Sequence, residues 1–317
     1  MHAKKDATIR DSADRRRMTR PRQVLARQFH LVTRRCTQRQ FLLRPDDEIT
    51  NAIAYCLADA AKRFGIDVLV ATVESNHHHT VIFDRHGRFP QFIEHFHKMV
   101  AKCVNAARGR RENLWSSGEA CVTRLLDYET VLAKLTYSAG NPVQDGLVER
   151  ATQWPGLNGY RHLIHRKPLR ARRPMFFFRR DGSWPDELTL TFAIPPELGN
   201  AEEVIAELKT RVAALEEDTI RIRRRSGARV LGRRAVLDQK WSTSPTTIEA
   251  RRTLRPRFAG GRDARNKALG EYRVFLDTYR NAFEQWRSGK SCMFPPGTYW
   301  LARFTPIGSG TGEALPD

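Results

Sequence analysis

Three consecutive histidines, His77-His78-His79, lead into Thr80-Val81-Ile82-Phe83, and much later in the chain Tyr137 stands four positions before Asn141. The β-branched, apolar run after the histidines predicts a strand. Side chains alternate faces along a strand, so His77 and His79 share one face and His78 takes the other. Two imidazoles on one face can hold a divalent first-row metal together. Tyr137 and Asn141 lie on one face of a helix if the helix continues through Asn141. A tyrosine hydroxyl, with its usual pKa of about 10, is a poor nucleophile unless its electrophile is well placed. A metal at His77 and His79 would polarise a phosphate and offset charge in the transition state. The plainer alternatives are a polar histidine cluster at a strand end and a half-buried tyrosine on an amphipathic helix. His95 and His97 form another His-x-His, but in a helical pattern. There, residues two apart point about 200° apart, so we expect surface or groove residues and no shared ion.

These residues need a scaffold, and the flanking sequence predicts one. An alternating stretch from Ala26 to Thr33 predicts a first strand. Pro45-Asp46-Asp47 opens a helix whose stripe is Ile49, Ile53, Cys56, Leu57, Ala60 and Phe64, with Gly65 as its left-handed cap. Ile66 to Val73 predicts a second strand, joined to the histidine strand by so short a link that the pair should be an antiparallel hairpin. Pro90 suits the first turn of a second helix, ending near Gly109. Leu114 to Leu126 contains a further strand around Cys121-Val122-Thr123-Arg124. Asp127 caps a third helix, carrying Val131, Leu132, Leu135 and Tyr137, which the residues Gly140-Asn141-Pro142 should break. The resulting order β-α-β-β-α-β-α predicts an α+β domain, an antiparallel sheet with helices packed on one face.

The whole chain limits what such a domain acts on. Its 317 residues suffice for one large or two ordinary domains. Lys plus Arg number 55 against 35 for Asp plus Glu, a formal net charge of +20, which suits a polyanion and makes nucleic acid the expected partner. No apolar run reaches the length of a membrane span, and the N-terminus lacks the apolar core of a signal peptide. Five cysteines without a CxxC pair exclude a zinc knuckle and a disulfide framework, and predict reduced thiols and a cytoplasmic location.

Taken together, Asn76-His77-His78-His79 on a strand and Tyr137-Ser138-Ala139-Gly140-Asn141-Pro142-Val143 with Gly146-Leu147-Val148 resemble the single-tyrosine HUH transposases, and most of all the REP-associated tyrosine transposases. Trp154-Pro155-Gly156, Phe29-His30-Leu31-Val32-Thr33-Arg34-Arg35 and Phe41-Leu42-Leu43-Arg44-Pro45 fit the same pattern. The resemblance covers about residues 20–160. It implies that His77, His79 and Asn141 ligate Mg²⁺ or Mn²⁺. It implies that Tyr137 attacks a DNA phosphorus to leave a 5′-phosphotyrosine and a 3′-hydroxyl, a strand-transfer reaction on single-stranded or hairpin DNA. It also admits a homodimer. The sequence departs from the pattern at His78, usually hydrophobic, at Ser75, where proline is common, and at Gly140, which weakens helix continuity. The alternative function is a catalytically inactive, domesticated DNA-binding protein.

Four segments follow from this reading: a basic tail at 1–22, the HUH-like domain at 23–159, a basic linker at 160–174 and an accessory, DNA-binding α+β domain at 175–317. DNA contacts are expected from Arg34, Arg35, Arg166, Lys167, Arg170, Arg172 and Arg173. Met175 to Arg180 and Leu188 to Ile194 predict a β-hairpin, and Asn200 with Glu203 caps a helix through Val204, Leu208, Val212 and Leu215. Residues 241–263 read as an exposed loop, Ala264 to Trp286 as a last long helix and Thr298 to Phe304 as a final strand.

Overall fold

The computed structural model describes residues 21–247, 256–305 and 308–309. The expected basic tail falls almost wholly outside them. The chain divides into two compact units, Ala26–Arg265 and the pair of segments Met1–Leu25 and Asn266–Asp317.

The larger unit is α+β, built on a five-stranded sheet in the order β2-β3-β1-β4-β7. Its strands are β1 (Gln28–Arg35), β2 (Ile66–Val73), β3 (His77–Asp84), β4 (Cys121–Leu125) and β7 (Phe258–Ala259). The first four pair antiparallel, and β7 adds a short parallel edge to β4. β1 begins and ends two residues later than its pattern suggested. The helices are α1 (Asp47–Phe64), α2 (Phe89–Ala107), α3 (Tyr128–Gln144), α4 (Gly159–Ile164), α5 (Ala201–Ser226) and α6 (Arg233–Asp238). Capping sets the helix ends near the sheet. Asp46 accepts from Ile49 N at 3.0 Å, Gly65 closes α1 at φ +63°, and Asp127 accepts from Thr130 N at 2.8 Å.

From His78 on, β3 is buried at every position instead of alternating. Both faces of the sheet are covered, which removes the polar positions an open face would need. On one face His78 touches Phe96 and His97 of α2, and α2 pairs with α1 through Cys56 and Cys103. On the other face His79 meets Tyr137 of α3, and Thr72 of β2 bonds Asn158, the cap of α4. α5 lies along α3. A Cβ on Gly140 would sit 2.7 Å from Leu215 Cδ2, so the glycine lets the two helices approach closely. Glu216 accepts from Ala151 N at 2.7 Å and pairs with Arg150, while Arg211 pairs with Glu129.

Several local expectations are corrected. α3 is not broken at Gly140-Asn141-Pro142 but runs on to Gln144. Pro142 removes a single N–H near the helix end, and its carbonyl then receives Leu147 N at 2.9 Å, with Gly146 at φ +69° making the exit. Met175 to Arg180 is not a strand. The ribbon is β5 (Leu169–Arg172) with β6 (Glu187–Leu190), packed beside α1. α4 and β5 occupy most of the stretch 160–174, within the larger unit.

In the smaller unit, α7 (Arg262–Arg287, which starts just inside the larger unit) stacks Tyr272, Phe275, Tyr279 and Phe283 at helical spacing. β8 (Met293–Phe294) brings Phe294 onto Tyr279, and Val24 N bonds Gly297 O at 2.9 Å. The expected final strand is instead α8 (Trp300–Phe304), and β8 pairs with β9 (Gly308–Ser309). Among the described residues no helix is long and apolar enough to cross a membrane.

Candidate metal and nucleophile site

His77 and His79 open β3 on the face that α3 crosses. Asn76 Oδ1 lies 2.8 Å from His77 Nδ1. An amide oxygen only accepts, so Nδ1 carries the hydrogen and Nε2 the lone pair. That Nε2 lies 3.4 Å from Asn141 Nδ2. On His79, Nδ1 lies 2.9 Å from Thr33 Oγ1, which the antiparallel register sets directly opposite. The His77 and His79 rings sit edge to face with centroids 4.9 Å apart, and the His79 and Tyr137 rings likewise at 5.0 Å. Lys134, three residues before the tyrosine, holds its ammonium 5.7 Å from the Tyr137 ring centre. The fold thus brings His77, His79, Tyr137 and Asn141 to one place.

Two further residues belong there that the sequence reading did not single out. Asn141 is buried and donates from Nδ2 to Glu74 Oε1 at 2.5 Å. Glu74, His77 and Asp145 each offer a ligand atom, all within 4.8 Å of one another. Burial pushes the Glu74 carboxyl well above the usual carboxylate range, and the neighbouring Asp145 pushes it the same way. A signal for both was present. Tyr137, Asn141 and Asp145 recur every fourth residue, one stripe of a helix, and Glu74 stands in the short link before His77.

The donor set suits a hard or borderline dication: the His77 imidazole and two carboxyls, with the Asn141 amide beside them. The observation that favours one is the buried Glu74 carboxyl beside Asp145, two groups of like charge that a cation would hold as anions. For Asn141 to ligate, its amide must turn so that Oδ1 faces the ion. The two ends of an amide differ only by their hydrogen-bond partners.

His78 faces away, as its strand position requires. His97 Nδ1 accepts from Arg34 at 3.1 Å, so His97 Nε2 donates to His78 Nε2 at 2.8 Å, and His78 Nδ1 donates to Thr80 Oγ1 at 3.0 Å. Burial holds the His78 imidazole down at about 3, with His77 and Arg34 adding to the effect. His97 is therefore an internal residue, not the surface or groove residue its spacing suggested. His95 is separate from it, bonded to Asp59 at 2.6 Å.

The expected DNA-contact residues divide by location. Arg34 lies on the His78 face, tied to His97 and set over the Trp115 ring. Arg35, paired in register with His77, is exposed on the side of the site. Arg173 is turned inward onto Asp186 and the carbonyls of Arg180, Gly182 and Trp184. Arg166, Lys167, Arg170 and Arg172 are exposed, and Arg166 pairs with Glu202.

No family model matches the chain, and no curated protein matches it significantly. Among solved structures, a REP-associated tyrosine transposase bound to a REP hairpin is similar at 14% identity, covering 53% of this chain and 92% of that one, with a TM-score of 0.40. A candidate transposase from Deinococcus radiodurans R1 is similar at 19% identity, covering 33% and 84%, with a TM-score of 0.27. Likenesses this distant do not decide what the chain does; the functional reading stands on the site's own residues.

Proposed function

We propose that the protein cuts and rejoins single-stranded DNA in a divalent-metal-dependent reaction, with Tyr137 as nucleophile. The observation that carries this reading is the meeting of Tyr137 with His77 and His79, remote in sequence, with Asn141 one helical turn on. His77, His79 and Asn141, joined by Glu74 and Asp145, would hold Mg²⁺ or Mn²⁺. Such an ion supplies charge neutralisation at the phosphate and its leaving oxygen.

The chain's own residues do the rest. Tyr137 Oη forms a bond to phosphorus and gives up its proton, while the bond from phosphorus to the 3′-oxygen breaks and that oxygen gains a proton. The product is a 5′-phosphotyrosine beside a 3′-hydroxyl. The phosphodiester survives as a covalent ester, so attack by another 3′-hydroxyl rejoins DNA without an external energy source. Lys134 sets its ammonium over the Tyr137 ring, a cation–π contact that holds the ring in place. Asn76 and Thr33 fix the ring orientations of His77 and His79. Arg35 and the exposed cations Arg166, Lys167, Arg170 and Arg172 would meet phosphates.

The test is a nicking assay on hairpin-flanked single strands with Mn²⁺. Wild type should cleave and Tyr137→Phe should not. Equal behaviour of the two proteins would leave the alternative, a DNA-binding protein without chemistry.

A further inference from the structure

The turn before α1 combines two features that rarely occur together without a purpose. Gln38 and Arg39 are consecutive non-glycine residues in the left-handed region, at φ +49° and +57°. Such conformations are strained and persist only when surrounding contacts impose them. Leu114 O accepts from Thr37 N at 2.9 Å and Arg110 donates to Gln40 Oε1 at 3.2 Å, but most of the side-chain contacts come from one remote segment, residues 239–247, which follows α6. Ser244 Oγ donates to Gln38 O at 2.8 Å, and Phe41 N donates to Thr243 O at 2.9 Å. The Arg39 guanidinium donates to Thr247 O at 2.6 Å and to Thr247 Oγ1 at 3.0 Å. Gln40 donates to Ser242 O, Arg44 donates to Gln239 O, and Trp241 lies under the Arg108 guanidinium.

The turn leads directly to the site. Arg39 O accepts from Asn76 Nδ2 at 3.2 Å. That bond decides which end of the Asn76 amide is which, and so leaves Oδ1 for His77 Nδ1. Asn76 is fixed on its backbone side as well, since Asn76 O accepts from Cys36 N at 2.7 Å.

We infer that residues 239–247 act as a strap that holds the Gln38–Arg39 turn in its strained form, so that the Arg39 carbonyl sets the Asn76 amide and Asn76 sets the tautomer and direction of the His77 ring. Arg39 and Asn76 are positioning residues for His77. The inference deepens the metal reading above and rests on it for its consequence, but not for its geometry. A few exposed hydrogen bonds return about as much as two left-handed residues cost, so loss of the strap bonds should release the turn.

The experiment compares two variants that lose the same side-chain bonds. One is Arg39→Ala with Ser244→Ala. The other is Gln38→Gly and Arg39→Gly with Ser244→Ala, in which glycine holds the turn without strain. Mn²⁺ affinity is measured by calorimetry on the full chain, and the His77 tautomer by ¹⁵N NMR without metal. Asn76→Ala should weaken Mn²⁺ binding roughly 10- to 100-fold, the usual effect of losing a partner that orients a metal-ligating histidine. The alanine variant should weaken it by about three- to tenfold and mix the His77 tautomers, and adding Asn76→Ala should then make the total no worse than Asn76→Ala alone. The glycine variant should recover near wild-type affinity and a single tautomer. Unchanged affinity and tautomer in the alanine variant, or equal loss in both variants, would overturn the strap. If wild type binds no Mn²⁺, the metal reading fails by itself, and the NMR comparison still decides whether the strap sets His77.

Discussion

At the scale of single residues, the account assigns His77 a lone pair on Nε2 and gives Tyr137 the bond-forming oxygen. His77→Ala should therefore abolish cleavage and Mn²⁺ binding yet keep most DNA affinity, because phosphate contacts supply most of it. Gel-shift and nicking assays on one preparation check this, and parallel loss of both would point to a folding role. A second residue carries a pH prediction. His30 is buried against Phe89, and neither ring nitrogen has a hydrogen-bond partner among the described residues. Burial, then the charge of Arg124, takes its imidazole from 6.5 down to about 3. Between those values the unfolded chain binds the proton and the folded one does not, so stability falls as pH drops from 6.5 towards 3. The limit of that loss is on the order of 5 kcal/mol, about 1.4 for each pH unit. His30→Phe should make the decline in urea midpoint between pH 6.5 and 4.5 shallower, with the buried His78 and His97 supplying the remainder, and an unchanged decline would place its source elsewhere. The sequence made His77, His79, Tyr137 and Asn141 legible because strand and helix periodicities each place a pair. Its signal for Glu74 and Asp145 was weaker, a helical spacing and a place in a link, because their roles depend on where the β2–β3 link meets the end of α3.

At the scale of elements, the helix that matters most is α3, and α5 holds it from outside. Arg211 pairs with Glu129 of α3, and Glu216, buried, accepts from Ala151 N in the segment that follows α3. Glu216→Ala would leave that buried N–H without its acceptor and should cost about 1–3 kcal/mol, read from chemical denaturation. A change below about 0.5 kcal/mol would mean that the segment after α3 does not depend on this tie to α5. Periodicity, caps and turn residues gave α1, β2, β3 and α2 nearly to the residue, and the start of α3. The errors lie where tertiary contacts override local preference. Pro142 stays helical because it falls in the last turn, where one missing N–H matters little and Leu147 uses its carbonyl. Met175 to Arg180 looks like a strand for its phenylalanines, yet Phe178 is buried against Tyr55 and Trp184 and the pairing goes to Leu169–Arg172.

At the scale of the whole molecule, the net charge of +20 is the largest physical fact about the chain. If exposed cations such as Arg35, Arg170 and Arg172 meet DNA phosphates, affinity must fall steeply and log-linearly with salt through counterion release. Fluorescence anisotropy from 50 to 300 mM salt measures the slope, and a flat profile would argue against these patches as the DNA surface. The charge was legible from composition alone, but its placement was not. Arg34 and Arg173 read as surface cations, yet one is spent on His97 and Trp115 and the other on a ring of carbonyls.

The central claim is that the Tyr137 oxygen becomes bonded to a DNA 5′ phosphate. Mass spectrometry of the protein digested after incubation with Mn²⁺ and a hairpin-flanked single strand tests it most directly. The account predicts a nucleotide-bearing peptide that contains Tyr137, absent from Tyr137→Phe. Cleaved DNA with no such peptide, or an adduct on a different residue, would contradict it.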